Sequence, residues 1–197
     1  MYVMVHGMTT LPSPLASVLR GIAFWLSFPL TGLVAFLALG PVTSPGPALA
    51  GGVLVGLGVG LVEAWALGRP VARWAVATAL GLGVGSALAV GIRNLLGDGA
   101  GPTLLGGLVA GAAVAGAQLI AGPPLRRAIW FVLTAVAWTA AWGVSLVVAI
   151  SGEQGFVVFG ASGAAVFALA TMLVTRVVSR RAERGHPAHG QSEGAPA

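Results

Sequence analysis

The sequence predicts an all-α membrane protein: a polytopic bundle of six transmembrane helices built around duplicated parallel helical hairpins. Three observations carry that expectation. Of 197 residues, 57% are hydrophobic and 8% charged, with a mean hydropathy of +0.95. A soluble domain carries roughly 25% charged residues, so this chain lacks the polar surface that water requires. Six apolar runs are each long enough to cross a hydrocarbon core of about 30 Å, which takes about 20 helical residues. Finally, a glycine-striped segment at 51–63, GGVLVGLGVGLVE, returns at 106–118 as GGLVAGAAVAGAQ.

The spans fall near 16–39, 48–67, 71–92, 103–121, 128–150 and 156–178, making 1–178 a single transmembrane domain. The opening MYVMVHGMTTLPSPL lacks the basic start and short apolar core of a cleaved signal peptide, so the first run is read as a genuine span. Pro29, among Phe24, Trp25 and Phe28, predicts a kink in it. The connectors GPVTSPGP, GRP, RNLLGDGAGP, GPPLRR and SGEQG are rich in Gly and Pro and suit tight turns between antiparallel neighbours. In lipid a spanning segment must satisfy its own backbone, which leaves helices as the economical choice.

All ten basic residues are arginine, and they set the orientation. With the amino terminus cytoplasmic, Arg20, Arg69, Arg73, Arg126, Arg127, Arg176, Arg180, Arg181 and Arg184 lie inside, and Arg93 alone lies outside near Asp98. That asymmetry is the positive-inside pattern and places both termini in the cytoplasm. It also accounts for the basic charge without nucleic acid as a partner: the arginines mark helix ends and a tail. The tail 179–197, SRRAERGHPAHGQSEGAPA, is polar, with nothing to bury, and reads as disordered. The expected setting is the bacterial inner membrane, with the lipid bilayer as the first partner.

The second and fourth spans open on the same Gly-Pro and carry the same stripe. Gly52, Gly56 and Gly60 lie four apart, so they share one helix face, and Glu63 falls within about 20° of it. Gly107, Gly111, Ala115 and Gln118 occupy the equivalent places. Aligning 46–63 with 101–118 matches seven of eighteen residues, and Arg73 and Arg127 each precede another apolar helix. Hairpins 46–92 and 101–150 run in the same sense, a parallel repeat. Gly160, Ala164 and Ala168 give the sixth span a similar small face, the remnant of a third unit. Such small-xxx-small stripes let helices approach closely; the repeat mate is one candidate partner for the 52/56/60 face.

Residues Gly52, Gly56, Glu63, Trp65, Arg73 and Trp74, then Gly107, Gly111, Gln118, Arg127 and Trp130, carry a resemblance across roughly 46–150. The pattern resembles uncharacterised bacterial polytopic membrane proteins with repeats of a Gly-rich helix, a Gln or Gln-Trp near its cytoplasmic end, a basic turn and a Trp-opening helix. The resemblance implies the architecture, not an activity. Glu63 departs from the usual glutamine.

Glu63 is the acidic residue inside a predicted span, and a carboxylate in hydrocarbon is costly unless neutralised, paired or functional. About 6 Å from the cytoplasmic end of its helix, it can snorkel, or meet Arg69, Arg73 or Arg127. The structural reading is a helix-end ion pair or hydrogen bond that fixes packing; the functional one is a catalytic or protonatable group in an intramembrane cavity. Gln118 is its candidate partner across the bundle, or a ligand-binding amide. Trp138 and Trp142, one turn apart in the fifth span, are candidates for lining an apolar ligand cavity or for packing on glycine faces. Trp65, Trp74 and Trp130, near the inner face, read as interfacial anchors.

Other chemistry is unsupported. The chain has no cysteine, and His6, His186 and His189 lie in the termini, so no metal or cofactor is expected. Ser27, Ser86, Ser145 and Ser162 have no intramembrane base. GLGVGL follows no strand, which removes the phosphate-loop reading. Three functions remain. The first is binding or transport of a small or lipid-like ligand; length and helix count look like the substrate-binding membrane subunits of vitamin transporters, whose motifs are missing. The second is a membrane enzyme on a lipid-soluble substrate, such as an isoprenoid cyclase with Glu63 as proton donor and Trp138 and Trp142 stabilising a cation. The third is a structural partner subunit of a membrane complex.

Overall fold

The computed structural model describes residues 14–147, with side chains from residue 18. It holds five long helices: α1 Pro14–Leu39, α2 Pro45–Leu67, α3 Val71–Leu96, α4 Ala100–Ala121 and α5 Arg127–Val147. All five are apolar enough to cross a membrane, and at 21 to 26 residues they are long enough. Their outward surfaces are aliphatic: Leu30, Val34, Leu37, Leu80, Ile120, Val132 and Val136 are all exposed. The chain is a multi-pass integral membrane protein. The sixth span, 156–178, and the tail, 179–197, lie outside the described residues.

Local chemistry fixes where each helix stops and starts. Pro45 and Pro47 open α2, where the missing N–H costs nothing because first-turn donors have no intrahelical acceptor. At the other end Gly68 adopts φ 62°, ψ 37°, a left-handed conformation that only glycine takes without strain. Arg69 N–H then reaches Ala64 O at 2.8 Å and Gly68 N–H reaches Trp65 O at 3.3 Å, the paired bonds that close a helix end before Pro70 redirects the chain. α3 runs one turn beyond the expected 71–92, because nothing in Arg93–Leu96 breaks a helix until Gly97 at φ 82°. In α1, Pro29 sits inside one continuous helix, and Thr31 and Ser27 hydroxyls donate to Ser27 O and Phe24 O at 2.6 Å each.

Consecutive helices pack side by side, α1 on α2, α2 on α3, α3 on α4 and α4 on α5. Lipid supplies no hydrophobic drive between helices, so close van der Waals approach must hold them. Glycine makes that approach feasible. A Cβ on Gly52 would stand 2.6 Å from Leu82 O, and one on Gly56 2.6 Å from Ala79 Cα. Gly60 faces Ala75 Cα at 2.8 Å. The stripe of α2 therefore seats on α3, not on α4, the expected repeat mate: a turn of a few residues holds the two partners of a hairpin together. Gly107 and Gly111 stand to α5 as Gly52 and Gly56 stand to α3, with Trp142 Cγ and Trp138 Cβ at 2.9 and 2.6 Å. Gly81 and Gly85 of α3 face Val114 and Ala110 of α4, both at 2.7 Å, joining the hairpins. The mid-bundle core gathers Phe24, Phe28, Val55, Val59, Leu82, Val114 and Trp138, with Phe28 bringing α1 to Trp138 of α5.

Candidate functional site: a buried carboxylate–amide centre

The α2 and α4 stripes end in side chains that meet. Glu63 is 1% exposed and Gln118 fully buried. Gln118 Nε2 donates to Glu63 Oε2 at 2.9 Å and to Thr78 Oγ1 at 3.0 Å. Trp74, in the first turn of α3, donates its indole N–H to the same Glu63 Oε2 at 2.9 Å. Trp130, in the first turn of α5, donates to Gln118 Oε1 at 3.0 Å. Four helices thus converge on one polar centre. Around it close Ala64, Trp74, Ala121 and Trp130, with Leu67 and Leu125 against them, and the two indoles stand edge to face 5.8 Å apart.

Chemistry fixes the polarity of this centre. An indole nitrogen only donates, so the Gln118 atom facing Trp130 must be the carbonyl oxygen, and Nε2 turns toward Glu63 and Thr78. Both Gln118 N–H groups and both indole N–H groups are consumed. Glu63 Oε2 accepts twice. Glu63 Oε1 is buried with no hydrogen-bond partner, an exception to the rule that buried polar groups are paired.

Among the described residues no arginine meets Glu63. Arg69 lies across the Trp74 ring, its guanidinium 5.9 Å from the ring centroid, and donates to Gly122 O. Arg73 donates to Ile120 O. Both therefore serve the carbonyls at the end of α4, where unpaired acceptors and the negative end of the helix dipole attract cations. Of the expected alternatives, the helix-end ion pair and the snorkelling carboxylate are not seen; the hydrogen bond across the bundle to Gln118 is, with Trp74 as a second donor. Trp74 and Trp130 are likewise not interfacial anchors: both are fully buried. Trp65 does face outward at the helix end, with Arg20 5.6 Å over its ring. At the opposite end Arg93 pairs with Asp98 at 3.6 Å.

Trp138 and Trp142 are not brought to Glu63. They lie about 12 and 18 Å further along α5 than Trp130; Trp138 is in the mid-bundle core and Trp142 half-buried against Gly107. Sequence reading missed Trp74, Thr78 and Trp130 as members of the centre. The available signal was the recurrence of WAVAT at 74–78 and WFVLT at 130–134, each at the start of the helix after a striped one. No protein family, curated protein or solved structure matches this chain.

Proposed function

We propose that the protein binds or transports a small or lipid-like ligand within the bundle, with Glu63 as the group that engages it. The observation that carries this reading is Glu63 Oε1, an unpartnered carboxylate oxygen at the junction of four helices. A centre built only to hold helices together is better served by a glutamine, which repeats the solution at Gln118 without burying a carboxylate. Binding is favoured over cyclase chemistry because the nearest indoles address the centre with N–H edges rather than ring faces, while Trp138 and Trp142 belong to a separate cluster.

The architectural part of the proposal is a duplicated unit, α2–α3 followed by α4–α5, in the bacterial inner membrane with the arginine-rich end toward the cytoplasm. Its support is that Glu63, Trp74 and Thr78 of one hairpin correspond to Gln118, Trp130 and Thr134 of the other. The test is native mass spectrometry of the protein purified from its own membrane. A bound small molecule or lipid is expected with the unaltered chain and is expected to be lost in Glu63→Gln that still folds. Retention of the same molecule by that variant removes Glu63 from the function.

A further inference from the structure

We infer that the ligand presents a protonated amine to Glu63 Oε1 and is otherwise apolar. This rests on the binding reading above and narrows it to a chemical class. The argument is a tally of hydrogen-bonding capacity. Every N–H donor of the centre already has an acceptor: Trp74 and one Gln118 N–H at Glu63 Oε2, the other Gln118 N–H at Thr78, and Trp130 at Gln118 Oε1. The remaining donors are neutral hydroxyls: Thr78, which accepts from Gln118, and Thr134, one turn beyond Trp130, whose Oγ1 is buried without a partner. What the centre offers a cation is an acceptor, Glu63 Oε1. A carboxylate- or phosphate-bearing ligand brings like charge to Glu63 and meets only neutral hydroxyl donors beside it.

Charge separates an ammonium from a hydroxyl. No cationic side chain among the described residues touches Glu63; Arg69 lies over the Trp74 ring and donates to Gly122 O. An N⁺–H donor to a buried carboxylate forms a charge-assisted bond, roughly twice as strong as a neutral one. The surroundings set the rest of the ligand: Ala64, Trp74, Ala121 and Trp130, with Leu67 and Leu125, pack around the centre as apolar and aromatic side chains. Arg69 Nε is the competing cationic orphan, a buried donor without a partner, and an anion is the ligand it would take. The two assignments predict opposite selectivity.

The experiment uses the unaltered full chain in lipid nanodiscs. A lipophilic carbodiimide modifies intramembrane carboxyls, and peptide mass spectrometry reads the rate at Glu63 in the presence of hexylammonium, hexanol, hexanoate or hexyltrimethylammonium. Hexylammonium is expected to slow labelling about tenfold relative to hexanol, the scale of one hydrogen bond to a charged group. Hexyltrimethylammonium, which has charge but no N–H, is expected to protect less, and hexanoate not at all. Thermal stabilisation by hexylammonium is expected to disappear in Glu63→Gln. Equal protection by hexanol or hexanoate, or none by any probe, overturns the amine assignment. If a copurified molecule is nevertheless lost in Glu63→Gln, binding at this centre stands and only its chemical class is wrong.

Discussion

At the scale of single residues, Gln118 is the hinge of the polar centre, because its amide is the only group that touches three others. Trp130 fixes which way it faces, and that orientation is what lets it donate to both Glu63 and Thr78. Gln118→Leu leaves the Trp130 N–H without its acceptor and removes a donor from Glu63. A buried polar group stripped of its partner costs about 1–3 kcal/mol, so thermal unfolding in nanodiscs should show a loss of that size. Glu63→Gln is expected to differ sharply. Its side-chain carbonyl can accept from Trp74 and Gln118 as Oε2 does, and interhelical hydrogen bonds in membranes average under about 1 kcal/mol. Stability should therefore stay within about 1 kcal/mol of the unaltered protein while ligand binding is lost; a large destabilisation would mean that Glu63 is chiefly structural. The sequence made Glu63 and Gln118 visible, since each ends a stripe of small residues on its helix. It hid Trp74 and Trp130, because tryptophan near a helix end usually belongs to the interface, and linear spacing does not say which way an indole turns.

At the scale of elements, the bundle is held by backbone approach along three successive seams, and each seam names its own test. Gly56→Leu places a branched side chain where even a Cβ would lie 2.6 Å from Ala79 Cα. Backbone offers no flexible end to move aside, so α2 and α3 must separate, at a cost of about 1–3 kcal/mol or more. Gly116→Ala in α4 is the control: nothing stands within 4 Å of its added Cβ, and alanine is the better helix former by about 1 kcal/mol. Its unfolding temperature should hold or rise, whereas that of Gly56→Leu should fall. The Arg69 and Arg73 clamp on the end of α4 belongs to the same scale. Arg73→Ala frees Ile120 O and is expected to speed carbodiimide labelling of Glu63, because that clamp closes the end of the bundle nearest the centre. The presence of each of the five described helices was legible from apolar length and Gly/Pro connectors, and their limits to within about a turn. The partner of each stripe was not, because a small-xxx-small pattern states that something approaches closely without saying what.

At the scale of the whole molecule, the two ends of the described bundle differ in charge, and the difference predicts a direction in the membrane. Arg20, Arg69, Arg73, Arg126 and Arg127 mark one end, while the opposite end holds Arg93 in an ion pair with Asp98. Translocating an arginine-bearing loop across the membrane is disfavoured, so the arginine-rich end should remain cytoplasmic. The chain has no cysteine, so single introduced cysteines report orientation without background. Ala72 lies exposed in the first turn of α3 at the arginine-rich end, and Ala100 lies exposed at the start of α4 at the other. In intact cells a membrane-impermeant maleimide should label Ala100→Cys and spare Ala72→Cys until the membrane is permeabilised. The reverse pattern would invert the bundle and put the end nearest Glu63 outside. That orientation bears directly on function: Glu63 lies about one turn from the end of α2, so the side that carries the arginines is also the side from which a ligand has the shorter path to its carboxylate.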